Sequence, residues 1–116
     1  MNHLNIITQL IFDIWNSQQN IVLFEHYIQD NQNYTIEILI IRLTNIRTNQ
    51  RKIIVCYDEY LDAYADATDL YIHAIREEFD QLEDALAFIL QKKNYDDLYP
   101  LFALNYPRKI QKLIQK

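Results

Sequence analysis

The 116-residue sequence predicts an α+β domain with an N-terminal helix, a three-stranded antiparallel β-meander, a long acidic amphipathic helix and short C-terminal helices. Three observations predict this class. Apolar residues recur at helical spacing near the N-terminus, β-branched and aromatic residues fill three runs between short polar turns, and helical spacing returns after residue 57. The length corresponds to one domain, residues 1–116.

The first helix is predicted over residues 4–16, where apolar side chains fall on one face. They are Leu4, Ile7, Leu10, Ile11, Ile14 and Trp15. Strands are predicted over residues 20–28, 33–46 and 51–57 because these runs are rich in β-branched and aromatic residues. The chain has no glycine, so its tight turns must use Asn and Asp, which tolerate left-handed backbone.

Residues 58–92 predict the long acidic helix, since apolar and acidic side chains separate into two sectors at 100° per residue. A second interpretation makes Asp69 to Phe79 a fourth strand that leads into a helix beginning at Asp80. Two shorter helices are expected, from Tyr95 to Asn105 and from Arg108 to Gln115, and Pro100 is expected to end or kink whatever precedes it.

Several function classes are excluded by composition. Dinucleotide fingerprints, P-loops and nucleophile elbows all need glycine. Cys56 is the only cysteine, so an internal disulfide and a four-thiolate zinc site are both excluded. No apolar run approaches the length of a membrane span and no signal peptide is recognisable, which predicts a cytoplasmic protein without a membrane partner.

Charge is distributed unevenly along the chain. Residues 58–84 hold ten acids and one base, a local charge of −9, whereas the rest holds six acids and ten bases, a charge of +4. Like charges on one helical face destabilise a helix, and two interpretations follow. The ridge is either a solvated face, compensated in part by the basic C-terminal segment, or a surface that complements a basic partner and speeds encounter with it. The acidic balance argues against direct nucleic-acid binding.

We therefore expect a non-enzymatic binding protein that occludes a basic protein surface and uses no cofactor. Its most concrete form is an inhibitor or immunity protein that neutralises a nuclease-like toxin. The predicted partner-binding residues are Asp58, Asp62, Asp66, Asp69, His73, Glu77, Tyr60 and Tyr71.

Two alternatives belong to other classes. One is a small, acidic, dimeric chaperone or adaptor that binds through an apolar sheet face, and an uncovered face would favour it. The other is a metal-dependent enzyme that uses the stripe Asp62, Asp66, Asp69 and His73, joined by His26 or His3. The stripe would point away from the apolar face of its helix, where a metal site is weak and wet, so no metal site is predicted.

Overall fold

The computed structural model describes residues 2–115 and confirms the α+β class. Four helices accompany one four-stranded antiparallel sheet, with two 3₁₀ turns between the third and fourth strands. In chain order the elements are α1 (His3–Asn16), β1 (Ile21–Gln29), β2 (Gln32–Thr44), β3 (Arg51–Leu61), the 3₁₀ turns Asp62–Tyr64 and Thr68–Leu70, β4 (His73–Phe79), α2 (Leu82–Lys92), α3 (Tyr95–Asn105) and α4 (Pro107–Ile114).

The sheet is a meander with strand order β1-β2-β3-β4. Asp30 and Asn31 connect β1 to β2, and both have positive φ, as a two-residue turn that matches the strand twist requires. Asn49 takes the same conformation before β3. The prediction that Asn and Asp replace glycine in turns is therefore confirmed, and Gln18 is an additional positive-φ residue after α1.

The predicted long acidic helix over residues 58–92 is wrong, and so is the count of three strands. β3 continues to Leu61, two 3₁₀ turns follow, and β4 pairs with β3 from Ile53↔Phe79 to Glu59↔His73. Helical structure resumes only at Leu82. The second interpretation, a fourth strand followed by a helix, describes this region, with the strand four residues shorter at its start.

Helices cover one face of the sheet, and the core lies between the two layers. α1 contributes Ile7, Leu10 and Ile14, each at most 1% exposed, and these pack with buried residues of the sheet and of α2, α3 and α4. Cross-strand register places Ile21, Ile40 and Val55 side by side on this helix-packed face. Periodicity thus predicted the burial of α1 and of the first three strands.

α3 also closes the outer edge of β1. The side-chain amide of Asn105 accepts a hydrogen bond from the backbone N–H of Phe24 (3.2 Å) and donates one to the carbonyl of Phe24 (3.0 Å). The hydroxyl of Tyr106 accepts from the backbone N–H of Val22 (3.1 Å). α3 has the predicted bounds and runs through Pro100 without ending there, at the cost of one helical N–H donor.

Within residues 2–115, no helix combines the length and the apolar character that a membrane crossing requires.

Candidate functional site

The face of the sheet opposite the helices is the candidate site. This open face consists of the alternate strand residues that point away from the core. They are Val22, Phe24, His26 and Ile28 of β1, Thr35, Glu37, Leu39, Ile41 and Leu43 of β2, Lys52, Ile54, Cys56, Asp58 and Tyr60 of β3, and Ala74, Arg76 and Glu78 of β4. Ile54 and Tyr60 are buried but lie outside the core cluster to which the helices contribute.

Two carboxylates meet directly across the central strand pair of the open face. Glu37 of β2 and Asp58 of β3 are register partners, and both side chains are half-buried. Burial first, and the negative charge of Glu37 second, raise the pKa of Asp58 above its ordinary value of 3.8. Like charges placed directly opposite destabilise a strand pair. This arrangement destabilises the folded sheet, so folding stability does not explain why two acids occupy these positions.

Tyr60 is hydrogen-bonded to one of the two carboxylates. Its hydroxyl donates a hydrogen bond of 2.5 Å to Oε1 of Glu37, and its ring stacks on Tyr71 with 4.5 Å between centroids. The bond to Glu37, together with burial, raises the pKa of Tyr60 to about 12. Burial and then the charges of Asp58, Glu37 and Asp66 raise the pKa of Tyr71. Tyr71 thus lies against the buried ring of Tyr60, beside the carboxylates.

A hydrogen-bonded chain runs from β1 to the first 3₁₀ turn. The Thr35 hydroxyl donates to Oδ1 of Asp62 at 2.6 Å, and Nδ1 of His26 lies 2.9 Å from the same hydroxyl oxygen. Because a hydroxyl has one hydrogen and Thr35 gives it to Asp62, Nδ1 of His26 must carry the proton that Thr35 accepts. The 3% exposed Thr35 thereby holds the turn against the sheet.

The predicted partner-binding residues divide between the two sides of the sheet. Asp58 and Tyr60 lie on the open face, Asp62 and Tyr71 join them through contacts, and the charge of Asp66 acts on Tyr71. Asp69 is exposed on the second 3₁₀ turn. We call the group Glu37, Asp58, Tyr60, Asp62, Asp66 and Tyr71 the acidic end of the open face.

His73 and Glu77 do not belong to the acidic end. Both alternate onto the helix-packed side of β4, opposite Glu59 and Val55 respectively. The ring of His73 lies edge-on to Tyr57, with 6.4 Å between centroids. The prediction that these two residues share one ridge with Asp58 and Asp62 is therefore wrong, because it assumed a helix where a strand alternates.

The structure does not assemble the Asp/His stripe of the metal alternative. Within residues 2–115, no group of three or more His, Cys, Asp or Glu side chains is arranged to hold a metal ion. His26 instead bonds to Thr35. The side chain of His3, the other candidate ligand, lies outside the described residues.

An apolar strip continues the open face beyond the acidic end. Phe24 and Leu43 are 37% and 47% exposed, and Leu39 and Ile41 are half-buried between them. Ile28, at the end of β1, is 74% exposed. The open face therefore combines an apolar area with a cluster of carboxylates, a combination that suits contact with another protein.

Glu37, Thr35 and His26 were absent from the predicted partner-binding residues, and His26 was considered only as a metal ligand. One feature of the sequence did indicate Glu37 and Thr35. The alternation of Ile36, Ile38 and Ile40 places Glu37 and Thr35 on the outer face of β2. Their partnership with β3 depends on strand register, which local sequence does not reveal.

Comparison of the chain with protein-family models, with curated proteins and with solved structures gave no match.

Proposed function

We propose that this chain is a non-enzymatic binding protein that docks a basic protein surface on the acidic end of its open face. The observation that carries the proposal is the Glu37–Asp58 pair. Among the residues that the structure describes, no basic group lies within 4.0 Å of either carboxylate. A Lys or Arg of a partner, placed between the two, would replace repulsion by charge-assisted hydrogen bonds.

The surroundings of the pair support docking of a macromolecule. Tyr71 is half-buried and offers rigid aromatic area next to the charges, held in place by its stacking on the buried Tyr60 ring, and tyrosine is enriched in the cores of protein interfaces. The apolar strip around Phe24 and Leu43 extends the surface along the sheet. A stable interface needs roughly 800 Å² from each partner, which an entire sheet face can provide but a lone charge cluster cannot.

The proposed mechanism is steric and electrostatic occlusion. Carboxylates speed encounter with a basic surface, and the sheet then covers it. The most concrete version is an inhibitor or immunity protein against a nuclease-like toxin, because such an enzyme keeps a positively charged cleft for phosphate. A row of carboxylates that includes Glu37, Asp58 and Asp62 would take the place of the phosphates.

A matched pair of variants tests the proposal. Glu37→Gln/Asp58→Asn removes two charges from the open face, whereas Glu77→Gln/Glu83→Gln removes two from outside it. Immobilised proteins are incubated at low and high salt with lysate from the native host and with purified products of neighbouring genes. The expected result is a basic partner that binds the wild type and Glu77→Gln/Glu83→Gln but does not bind Glu37→Gln/Asp58→Asn. Equal retention by both variants would refute the proposal.

The exposed apolar strip favours a second candidate, a dimeric chaperone or adaptor. Its binding would rest on Phe24, Leu39 and Leu43, and burial of apolar surface is not screened by salt as exposed charge is. Salt-resistant binding by a dimer that tolerates Glu37→Gln/Asp58→Asn, but not Phe24→Ser/Leu43→Ser, would select this function over occlusion.

A further inference from the structure

A basic cavity lies at the end of the sheet away from the acidic end. Its volume is about 290 Å³, and it lies where α1 ends, β2 ends and β3 begins. Its polar and aromatic lining includes Trp15, Gln18, Arg42, Thr44, Arg51 and Lys52. Eight residues of extended strand, roughly 26 Å, separate Lys52 from Tyr60, so this cavity is distinct from the acidic end, although Leu43 of the apolar strip also borders it.

Arg42 is the unusual residue of this cavity. Its guanidinium carbon lies 3.6 Å from the centroid of the Trp15 ring, so that the indole supports a cation. Nε and Nη2 of the same guanidinium are buried and have no hydrogen-bond partner. Buried donors without partners are uncommon in native proteins because each has lost its hydration without compensation.

The orphaned atoms define the shape of a suitable partner. Nε and Nη2 form one edge of the guanidinium, and their N–H bonds run nearly parallel. Such an edge matches two oxygens of a carboxylate or phosphate in a bidentate contact. An oxyanion on this edge of Arg42 would satisfy both donors at once, which a single water molecule cannot do as well.

The charge of the cavity selects for a strongly negative group. Asp80 is the acid of the lining, and it is already bound to Nζ of Lys52 at 2.6 Å. Among the described residues, no carboxylate forms an ion pair with Arg42 or Arg51. Burial first, and the charge of Arg51 second, lower the pKa of Arg42, as expected for neighbouring cations that lack a counter-ion. Two uncompensated positive charges favour a divalent anion over a carboxylate.

We propose that this cavity binds a phosphate group, either as the free ion or as part of a small phosphomonoester. Arg42 and Arg51 supply charge-assisted hydrogen bonds, and Thr44 and Gln18 supply neutral donors at the edge. The volume fits this class, since it falls just below the roughly 300–1,000 Å³ of pockets that enclose drug-sized ligands. Because Nε and Nη2 are out of solvent contact, binding includes a shift of the Arg42 guanidinium over the Trp15 ring.

The tryptophan gives a direct assay, because Trp15 is the only one in the chain. Its fluorescence is titrated with inorganic phosphate and, separately, with glycerol phosphate, while ionic strength is held constant with chloride. We expect a saturable change with phosphate and a matching rise in melting temperature. Tighter binding of glycerol phosphate would assign the site to a phosphomonoester, and equal binding would assign it to the free ion. A response no larger than that to chloride would overturn the proposal.

Variants localise the effect. Arg42→Met and Arg51→Ala should each weaken phosphate binding by at least about tenfold, since each removes a charge-assisted contact. Arg47→Ala is the control, because Arg47 lies in the same hairpin but does not line the cavity. If Arg42→Met fails to fold, Arg51→Ala decides alone. An Arg51→Ala variant that binds phosphate as tightly as Arg47→Ala would refute the assignment.

Discussion

Glu37 and Asp58 lie directly opposite each other on adjacent strands, so that two half-buried carboxylates of like charge face each other on the uncovered side of the sheet. The pair sits between the Tyr60–Tyr71 stack and the apolar strip. A sequence selected for folding alone would place opposite charges or apolar residues at these positions. The repulsion is consistent with a surface shaped for a partner rather than for the isolated fold.

The first prediction concerns Asp58→Asn, which should raise the free energy of unfolding at pH 7 by up to about 1 kcal/mol by removing the cross-strand repulsion. Burial and Glu37 raise the folded-state pKa of Asp58, so the protonated carboxyl favours the folded state. This contribution to stability is complete below the ordinary pKa of 3.8 and is lost as pH rises through the folded pKa. The gain should therefore vanish near pH 3. Urea unfolding at both pH values, with exposed Asp69→Asn as control, checks this; a loss of stability at pH 7 would contradict it.

Tyr60→Phe should lower the free energy of unfolding by about 1.5–3 kcal/mol, because Glu37 loses a charge-assisted hydrogen bond. Tyr34→Phe is the matched control, since the hydroxyl of Tyr34 donates to the neutral side chain of exposed Gln32. Urea denaturation of both variants gives the comparison. Equal losses would mean that the bond to Glu37 adds nothing beyond an ordinary hydroxyl contact.

The same tyrosine predicts a distinct alkaline response. The pKa of Tyr60 is raised from 10.0 to about 12, so the stability that its protonated form contributes is complete below pH 10 and is lost as pH rises through 12. The wild type should therefore lose stability over this interval faster than Tyr60→Phe. Unfolding curves at pH 9, 10 and 11 measure the difference; parallel behaviour of the two proteins would argue against the raised pKa.

Thr35→Val should cost about 1 kcal/mol and loosen the first 3₁₀ turn, because the buried hydroxyl bonds to both His26 and Asp62. Thr68→Val, at an exposed position of the second 3₁₀ turn, is the control. Hydrogen exchange of the backbone amides from residue 62 to residue 72 reports the local effect. Unchanged protection in Thr35→Val would show that the other contacts of this segment, such as the Tyr60–Tyr71 stack and the bond from the Tyr71 hydroxyl to the Ala65 carbonyl, hold it without Thr35.

Cys56 provides a probe of the open face. Burial, followed by the charge of Asp58, raises the pKa of its thiol, while Arg76 opposes the shift. Thiolate is the reactive form, so labelling by a maleimide at pH 7 should be slower than for a free cysteine and should accelerate in Asp58→Asn. Stopped-flow labelling measures both rates. Identical rates in the wild type and Asp58→Asn would place Asp58 outside the electrostatic reach of the thiol.

Local sequence predicted α1 and the first three strands because their apolar periodicity coincides with burial. It failed for residues 58–81 because β4 is an edge strand with polar residues on both faces, which hides the period of two. Its apolar residues fell into a helical sector by coincidence. Leu70 and Ile72, which lie before β4, are 55% and 50% exposed, so they do not form the buried face that a helix over residues 58–92 would require.

The candidate site was predictable to a similar extent. Asp58 and Tyr60 were identified from charge and aromatic content, and they share a face. Glu37 was not identified, because only the β2–β3 register brings a residue 21 positions earlier beside Asp58. The orphaned guanidinium of Arg42 is likewise a tertiary property, since Trp15 reaches it from a separate helix.

The two outer strands differ in their readiness to recruit further strands. The Asn105 amide occupies both hydrogen-bonding groups of Phe24, and the Tyr106 hydroxyl occupies Val22, so β1 cannot be extended there without displacing the end of α3. β4 is instead lined by Arg76, Glu77 and Glu78, whose charges discourage pairing with an identical copy but not with a basic strand. Self-association into continuous sheets and fibrils is thus blocked at the β1 edge by hydrogen bonds from Asn105 and Tyr106, and is restrained at the β4 edge by charge.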